Sequence, residues 1–152
     1  MAKPIERIMA VQRGEAPLPP IAKLLGMRIT EVSEGRVTMQ LDADGRYANP
    51  IGTVHGGIFC DLGDAAMGTA FGTTCEEGDS YTTVELKCNY LRPVWESTLT
   101  ATAWVVYRGK TIGLAECEVH DDRKRLLAKL SSTLMVLRGE AAKGRELMGG
   151  GR

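Results

Sequence analysis

The sequence predicts an α+β fold in which one long helix packs against an antiparallel sheet. Two strand-like segments, 27–32 and 35–42, precede a stretch at 55–73 whose apolar residues recur at helical spacing. Four more strand-like segments follow, at 81–91, 97–107, 111–120 and 125–137. Because the later segments are joined by short turns, consecutive strands can pair only in antiparallel fashion.

The N-terminal region favours short helices rather than strands. A helix is expected at 5–13, where apolar residues recur at helical spacing after Pro4, a residue suited to a first turn. The segment 14–20 (GEAPLPP) ends it, and 21–26 (IAKLLG) reads as one more short helix. The region after Leu137 is small, polar and rich in glycine. The predicted division is an N-terminal helix and linker at 1–20, one domain at 21–138 and a flexible tail at 139–152.

Alternation within the strands indicates which side chains face the core. In the second strand Val37, Met39 and Leu41 alternate with polar residues, as in a strand with one buried face. Residues 33–35 suit a hairpin turn before it. In 81–91 the alternation places four residues on one face, which are Val84, Leu86, Cys88 and Tyr90.

The long helical segment carries Gly63, Gly68 and Gly72 among its apolar residues. Each glycine costs a helix about 1 kcal/mol relative to alanine. A helix that keeps several of them is expected to need close approach of another backbone or side chain. A sheet wrapped around the helix would supply that approach.

Composition excludes several classes of function. The 152 residues suit one domain, and 19 basic and 19 acidic residues give a formal net charge of 0, which argues against a nucleic-acid binder. The cysteines at 60, 75, 88 and 117 form no CxxC pair, so we expect free thiols and no metal site. Neither a signal-peptide core nor an apolar run of about 20 residues is present, which predicts a soluble, cytoplasmic protein with no membrane partner.

The stretch NPIGTVHGG at 49–57 is the most informative part of the chain, because a tight glycine-rich turn opens directly into the long helix. The first N–H groups of a helix lack internal partners and lie at the positive end of its dipole. Gly56 and Gly57 would let a substrate oxygen approach these groups, as in an oxyanion-stabilising site. From spacing alone, however, an ordinary glycine-rich helix start with His55 in the cap region is the favoured interpretation, and only the wider pattern favours a functional site.

The wider pattern resembles the hotdog-fold acyl-CoA thioesterases, most closely the phenylacetic acid degradation (PaaI-like) type. The likeness consists of NPxGTxHGG, a carboxylate eight residues after Gly56, and the strand–turn–strand segments that follow. It extends from about Gly26 to Leu137, and residues 49–64 are its most specific part. The resemblance implies a sheet wrapped around one long central helix, and hydrolysis of acyl-CoA to a free acid and coenzyme A without a metal or redox cofactor. It also implies homodimers, commonly paired into homotetramers.

The resemblance also implies roles for particular residues. The Gly56 N–H would polarise the thioester carbonyl, and Asp64 would act as general base or nucleophile. Asn49 and His55 would position the thioester and the water, and Thr83 would help to hold the water.

Five further residues are expected to contact the substrate. Gly57 adds a second amide at the helix start, and Asp61 is the rival carboxylate, three residues before Asp64. Arg92, Arg108 and Lys110 are candidates for the coenzyme A phosphates, although basic residues at strand ends are often ordinary surface residues.

Helix geometry adds a condition to these roles. Eight residues of helix separate Gly56 from Asp64 by about 12 Å, whereas attack needs about 3–3.5 Å between the reacting atoms. The two residues must therefore come from different chains if they act on one substrate. This predicts a homodimer whose active sites lie across the interface.

Two other functions remain as alternatives. A hotdog protein could bind acyl-CoA as a sensor or carrier without hydrolysing it, but such a protein would not need Asp64. A hotdog dehydratase or hydratase ranks last, because its arrangement of histidine and acid is not found. The acyl group is expected to be aromatic or of short to medium length.

Overall fold

A computed structural model describes residues 2–145. Within this range there are three α-helices and six strands: α1 (Pro4–Gln12), α2 (Pro20–Leu25), β1 (Met27–Ser33), β2 (Arg36–Ala43), α3 (Gly56–Gly72), β3 (Ser80–Tyr90), β4 (Ser97–Arg108), β5 (Ile112–His120) and β6 (Leu126–Leu137). Short 3-10 helices lie at Gly45–Tyr47 and Gly139–Ala142. The predicted elements are confirmed to within two residues at their ends.

The strands form one antiparallel sheet in the order β1-β2-β4-β5-β6-β3. The central helix α3 contacts all six strands, so the sheet encloses it as predicted. This topology leaves β1 and β3 as the two edge strands. Helix α1 is attached to the β1 edge by a hydrogen bond of 2.8 Å from Gln12 Nε2 to the Thr30 carbonyl.

The core lies between α3 and the inner face of the sheet. Leu62, Met67 and Phe71 of α3 are fully buried there. The helix lies so close to the sheet that a Cβ placed on Gly63 would be 2.5 Å from Leu130 Cδ2. Such a contact would force neighbouring atoms to move, so the predicted reason for the helix glycines is confirmed at this position.

Strand β3 differs from its predicted pattern at a β-bulge. The register with β6 shifts between Thr83 and Glu85, which adds one residue to β3. Leu86 continues the inward face beyond the bulge, whereas Val84 is 57% exposed. The prediction that Val84 shares the inner face was therefore wrong. The bulge allows Thr83 and Leu86 both to face α3 although they are three positions apart.

The four cysteines are free, as expected. Burial raises the pKa of Cys75 to about 11 and that of Cys117 to about 12, so both thiols stay protonated at neutral pH. In the described part of the chain, no helix is both long and apolar enough to cross a membrane.

The C-terminal region continues briefly after the sheet. Arg138 pairs with Asp79 at 2.8 Å, which attaches the end of β6 to the segment that follows α3. The predicted flexible tail at 139–152 begins as the 3-10 helix, and its residues 146–152 lie outside the described residues.

Candidate active site

A groove of about 580 Å³ opens at the N-terminal end of α3, and we call it the helix-start groove. It is formed by the loop that precedes α3 and by the connection from β3 to β4. Its lining residues are Asn49, Thr53, Val54, His55, Gly56, Gly57, Phe59, Tyr90, Leu91, Arg92, Pro93 and Val94. Backbone hydrogen bonds of 2.8 Å hold the loop from two sides, one from His55 N to the Tyr47 carbonyl and one from Val54 N to the Val94 carbonyl.

The groove contains two unpaired backbone donors. Among residues 2–145, the amides of Gly56 and Gly57 donate to no protein acceptor, as expected for the first turn of a helix. His55 occupies the N-cap position, and its side chain makes no cap hydrogen bond. Its ring lies beside Gly57, where a Cβ would be only 3.1 Å from His55 Cδ2. The glycines thus keep this end of the helix open to a ligand oxygen.

Asn49 organises the loop. Its Nδ2 donates to Thr53 Oγ1 at 2.8 Å, and its Oδ1 accepts from the Ile51 amide at 2.9 Å. Its backbone amide also donates to the Thr53 carbonyl at 2.8 Å. Asn49 therefore supports the groove by fixing the turn, while one amide hydrogen stays available for a ligand.

Sequence reasoning missed Tyr90 as a residue of this site. Its hydroxyl donates to the Gly56 carbonyl at 2.8 Å and lies 3.4 Å from Cys60 Sγ. Its ring packs edge-on against Phe59, with centroids 5.8 Å apart. Burial and the hydrogen bond with Cys60 raise the pKa of Tyr90, so the hydroxyl keeps its proton. The only sequence signal was an aromatic residue at the end of the predicted inward face.

A second cavity of about 220 Å³ lies beside Asp64, and we call it the Asp64 pocket. Residues from α2, α3 and the inner face of the sheet surround it. They are Leu18, Pro19, Ile21, Ala22, Met27, Ile29, Met39, Asp64, Ala65, Gly68, Thr69, Tyr81 and Thr83.

Thr83 fixes the carboxylate in this pocket. Its Oγ1 donates to Asp64 Oδ1 at 2.8 Å. Among the described residues, Asp64 Oδ2 has no hydrogen-bond donor and no ion-pair partner. One oxygen is thus oriented by the protein, and the other is available to a water molecule or a substrate.

The rival carboxylate, Asp61, has a different environment. It is exposed and lines neither the helix-start groove nor the Asp64 pocket. Desolvation by its neighbours and the negative charge of Asp64 raise the pKa of Asp61, while His55 acts in the opposite direction. The pKa of Asp61 is thus affected in opposite directions by one residue from each cavity, Asp64 and His55.

The structure separates Gly56 from Asp64 within one chain, as the helix spacing predicts. The two residues lie about 12 Å apart along α3. No residue lines both cavities. The two glycine amides and the Asp64 carboxylate thus lie in separate cavities of one chain.

The three basic candidates lie in different places. Arg92 lines the helix-start groove. Arg108 lies beyond the C-terminal end of α3, where its Nε donates to Thr74 Oγ1 at 3.0 Å and its guanidinium lies over the Phe71 ring at 4.9 Å. Lys110 is exposed in the turn after β4. Arg108 therefore contacts residues at the C-terminal end of α3. Within one chain, neither it nor Lys110 lines the helix-start groove or the Asp64 pocket.

Metal-ligating groups are not clustered in the described part of the chain. Across residues 2–145, no three His, Cys, Asp or Glu side chains lie close enough to hold a metal ion.

Comparison with known proteins identifies the family. The model of the thioesterase superfamily matches residues 51–128, a range that covers the two glycine amides, Asp64 and Thr83. The chain belongs to the thioesterase superfamily. Its six-stranded sheet around one long helix is the hotdog fold, and it is a thioester hydrolase.

Individual relatives agree with this assignment. The chain is 25% identical to a 1,4-dihydroxy-2-naphthoyl-CoA hydrolase of Listeria monocytogenes over 116 residues, 76% of this chain and 94% of the relative. A phenylacetic acid degradation-related protein of Ralstonia eutropha superposes with a TM-score of 0.78 at 30% identity, covering 85% and 98% of the two chains. The E. coli PaaI protein superposes with a TM-score of 0.79 at 24% identity, covering 89% and 96%.

Proposed function

We propose that this thioesterase hydrolyses acyl-CoA carrying an aromatic or short-to-medium-chain acyl group, giving the free acid and coenzyme A. The observation that carries the proposal is the Asp64 carboxylate, which Thr83 holds at 2.8 Å while its second oxygen stays free. The names of two relatives, a dihydroxynaphthoyl-CoA hydrolase and a phenylacetic acid degradation-related protein, support an aromatic acyl-CoA.

In this proposal the helix-start groove binds and polarises the thioester carbonyl. The thioester carbonyl oxygen accepts hydrogen bonds from the Gly56 and Gly57 amides, which also stabilise the oxyanion that forms on attack. His55 and Asn49 border the carbonyl and position it. Arg92 meets a coenzyme A phosphate at the rim of the groove.

Asp64 supplies the carboxylate that acts as general base or as nucleophile. As a general base, Asp64 Oδ2 takes a proton from water while the water oxygen bonds to the carbonyl carbon. The tetrahedral intermediate then collapses, the C–S bond breaks, and the coenzyme A sulfur leaves and takes up the proton. As a nucleophile, the Asp64 carboxylate would attack the carbonyl carbon and expel the coenzyme A thiolate as the C–S bond breaks, and water would then hydrolyse the resulting mixed anhydride to the free acid and the Asp64 carboxylate. In both routes water is the acyl acceptor, so the reaction needs no metal or redox cofactor.

The helix-start groove and Asp64 meet only across a homodimer in this proposal, with Gly56 of one chain facing Asp64 of its partner. The outer edge of β3 supports such a contact, because an unpaired edge strand of 11 residues readily pairs with another chain. Exposed apolar side chains, Val84 and Leu91, lie on and just beyond this edge. We extend the proposal to a cytoplasmic protein whose dimers pair into homotetramers.

A test of the shared site mixes two inactive variants, Gly56→Ala and Asp64→Asn. In a mixed dimer both lesions fall in one site and the other site is native, so statistical mixing should restore about a quarter of the native sites. Coenzyme A release is followed by chromatography, because a partly exposed protein thiol such as Cys60 would react with a thiol dye. Mixed dimers that form and remain inactive would refute the shared site.

The alternative function is acyl-CoA binding without turnover, as in a sensor or carrier. The free oxygen of Asp64 argues against it, because a site that only binds a thioester gains nothing from a half-buried carboxylate beside it. Tight binding of acyl-CoA by the wild-type protein with no release of coenzyme A would favour this alternative.

A further inference from the structure

We propose that Ile21, on α2, sets the length of the acyl group that this thioesterase accepts, because it lines the Asp64 pocket. This inference rests on the proposed function, because it takes the thioester carbonyl to lie between Asp64 of one subunit and the helix-start groove of the other. The acyl group would then enter the pocket of the subunit that supplies the carboxylate.

The chemistry of the lining favours an acyl group over any part of coenzyme A. Most of the lining is apolar, and neither lysine nor arginine contributes to it. Its polar groups are Asp64, Thr69, Thr83 and the hydroxyl of Tyr81. Phosphates would face a carboxylate here without any cation, whereas an apolar chain gains about 25 cal/mol for each Å² that leaves water.

The volume of the Asp64 pocket limits the size of the acyl group that it can hold. An engineered apolar cavity of about 150 Å³ binds benzene, and the Asp64 pocket has about 220 Å³. It therefore accommodates an aromatic ring with one or two further carbons, or a chain of about six to eight carbons. A longer chain would have to displace one of the walls.

One wall of the pocket is fixed. The Tyr81 ring lies against α3, where a Cβ placed on Gly68 would be 3.3 Å from its hydroxyl and its Cε2. The ring also packs edge-on against Phe71 of the core, with centroids 5.8 Å apart. This wall cannot move without disturbing the core.

The wall formed by the start of α2 and the residues before it has few buried side chains. It consists of residues 18–22, and within α2 only Ala22 is buried. Ile21 lines the pocket while 52% of it remains exposed. A substitution at Ile21 should therefore change the volume of the pocket with little effect on the core. Leu24 lies on the same helix, is 77% exposed and does not line the pocket, which makes it a matched control.

The experiment measures the binding of S-alkyl coenzyme A thioethers with chains of 2 to 14 carbons, by calorimetry. These compounds keep the coenzyme A and the chain but cannot be hydrolysed. The variants are Ile21→Ala, Ile21→Trp, Leu24→Ala and Leu24→Trp. We expect Ile21→Ala to move the best-bound chain two or three carbons longer, and to change the affinity ratio of long to short chains by about tenfold. Ile21→Trp should shift the preference to shorter chains, and both Leu24 variants should match the wild type.

Two results would overturn this assignment. One is a chain-length profile that is the same in the Ile21 and Leu24 variants, which would mean that α2 does not limit the acyl group. The other is that no thioether binds more tightly than coenzyme A alone. The proposed function fails separately, if the wild type releases no coenzyme A from any acyl-CoA. The binding profile is informative whether or not hydrolysis is observed.

Discussion

The helix-start groove and the Asp64 pocket lie on the same helix but differ in size and in their polar groups. Both have largely apolar linings, but the wider groove carries backbone donors, a histidine and an arginine, whereas the smaller pocket carries one carboxylate and no cation. In each, a hydroxyl from β3 holds the functional group, since Tyr90 donates to the Gly56 carbonyl and Thr83 donates to Asp64. The comparison indicates that one strand, β3, positions a group in each of the two cavities.

The largest expected effect comes from removing the carboxylate. Asp64→Asn should lower kcat by about 10²–10⁴-fold, the usual contribution of a general base, while leaving thioether binding intact. Asp61→Asn is the matched control, because it removes a carboxylate three residues away that lines neither cavity. Coenzyme A release measured by chromatography should fall only in the first variant. An equal loss in both would reassign the base to Asp61.

The next effect should come from the helix start. In Gly56→Ala the new Cβ would lie 2.9 Å from the Tyr90 hydroxyl, so either the Tyr90 ring or the first turn of α3 must shift, and the hydrogen bond between them is disturbed. Displacing an oxyanion donor should lower kcat by about 10²-fold. Gly45→Ala is the control, because a Cβ at Gly45 meets no other atom within 4 Å. Activity close to wild type in Gly56→Ala would remove this amide from the mechanism.

Removing the Thr83 hydroxyl from the Asp64 pocket should have a smaller effect on kcat. Thr83→Val keeps the shape of the side chain but removes the donor to Asp64, and should lower kcat about tenfold. Thr83→Ser keeps a hydroxyl and should restore most of the rate. Should the serine variant be as slow as the valine variant, packing by the threonine methyl would be the cause instead.

Removing the Tyr90 hydroxyl should lower kcat less, because the Gly56 carbonyl to which it donates is already part of the hydrogen bonding of α3. Tyr90→Phe should lower kcat about three- to fivefold and leave KM within about twofold, corresponding to the loss of roughly one neutral hydrogen bond. Tyr107→Phe, at an exposed tyrosine on β4, is the control and should behave as wild type. A rise in KM at constant kcat would instead make Tyr90 a substrate-binding residue.

The smallest effect concerns stability and pH. The pKa of Asp61 is raised in the folded state, so folding is favoured by its protonated form. This contribution is present below the unfolded pKa of about 4 and is lost as the pH rises through the folded value. Asp61→Asn should therefore be slightly more stable than the wild type at pH 7, by an amount that solvent screening of this exposed side chain keeps small, and the difference should vanish near pH 3. Urea unfolding at both pH values measures it.

The sequence by itself determined the order and type of the elements, because hydrophobic periodicity and turn residues are local signals. The same local information placed Gly56 and Gly57 at a helix start and Asp64 two turns further on, which is the basis of the prediction that a second chain completes the site. It could not show that Arg108 is engaged at the far end of α3 by Thr74 and Phe71.

Only the tertiary structure decided which side chains meet. The β-bulge after Thr83 changes the facing of β3 part-way along the strand, a shift that alternation cannot reveal because it depends on pairing with β6. The contact of Tyr90 with Gly56 spans 34 positions, and that of Thr83 with Asp64 spans 19. Such contacts depend on how α3 lies across the sheet, and that placement is set by the packing of the whole core.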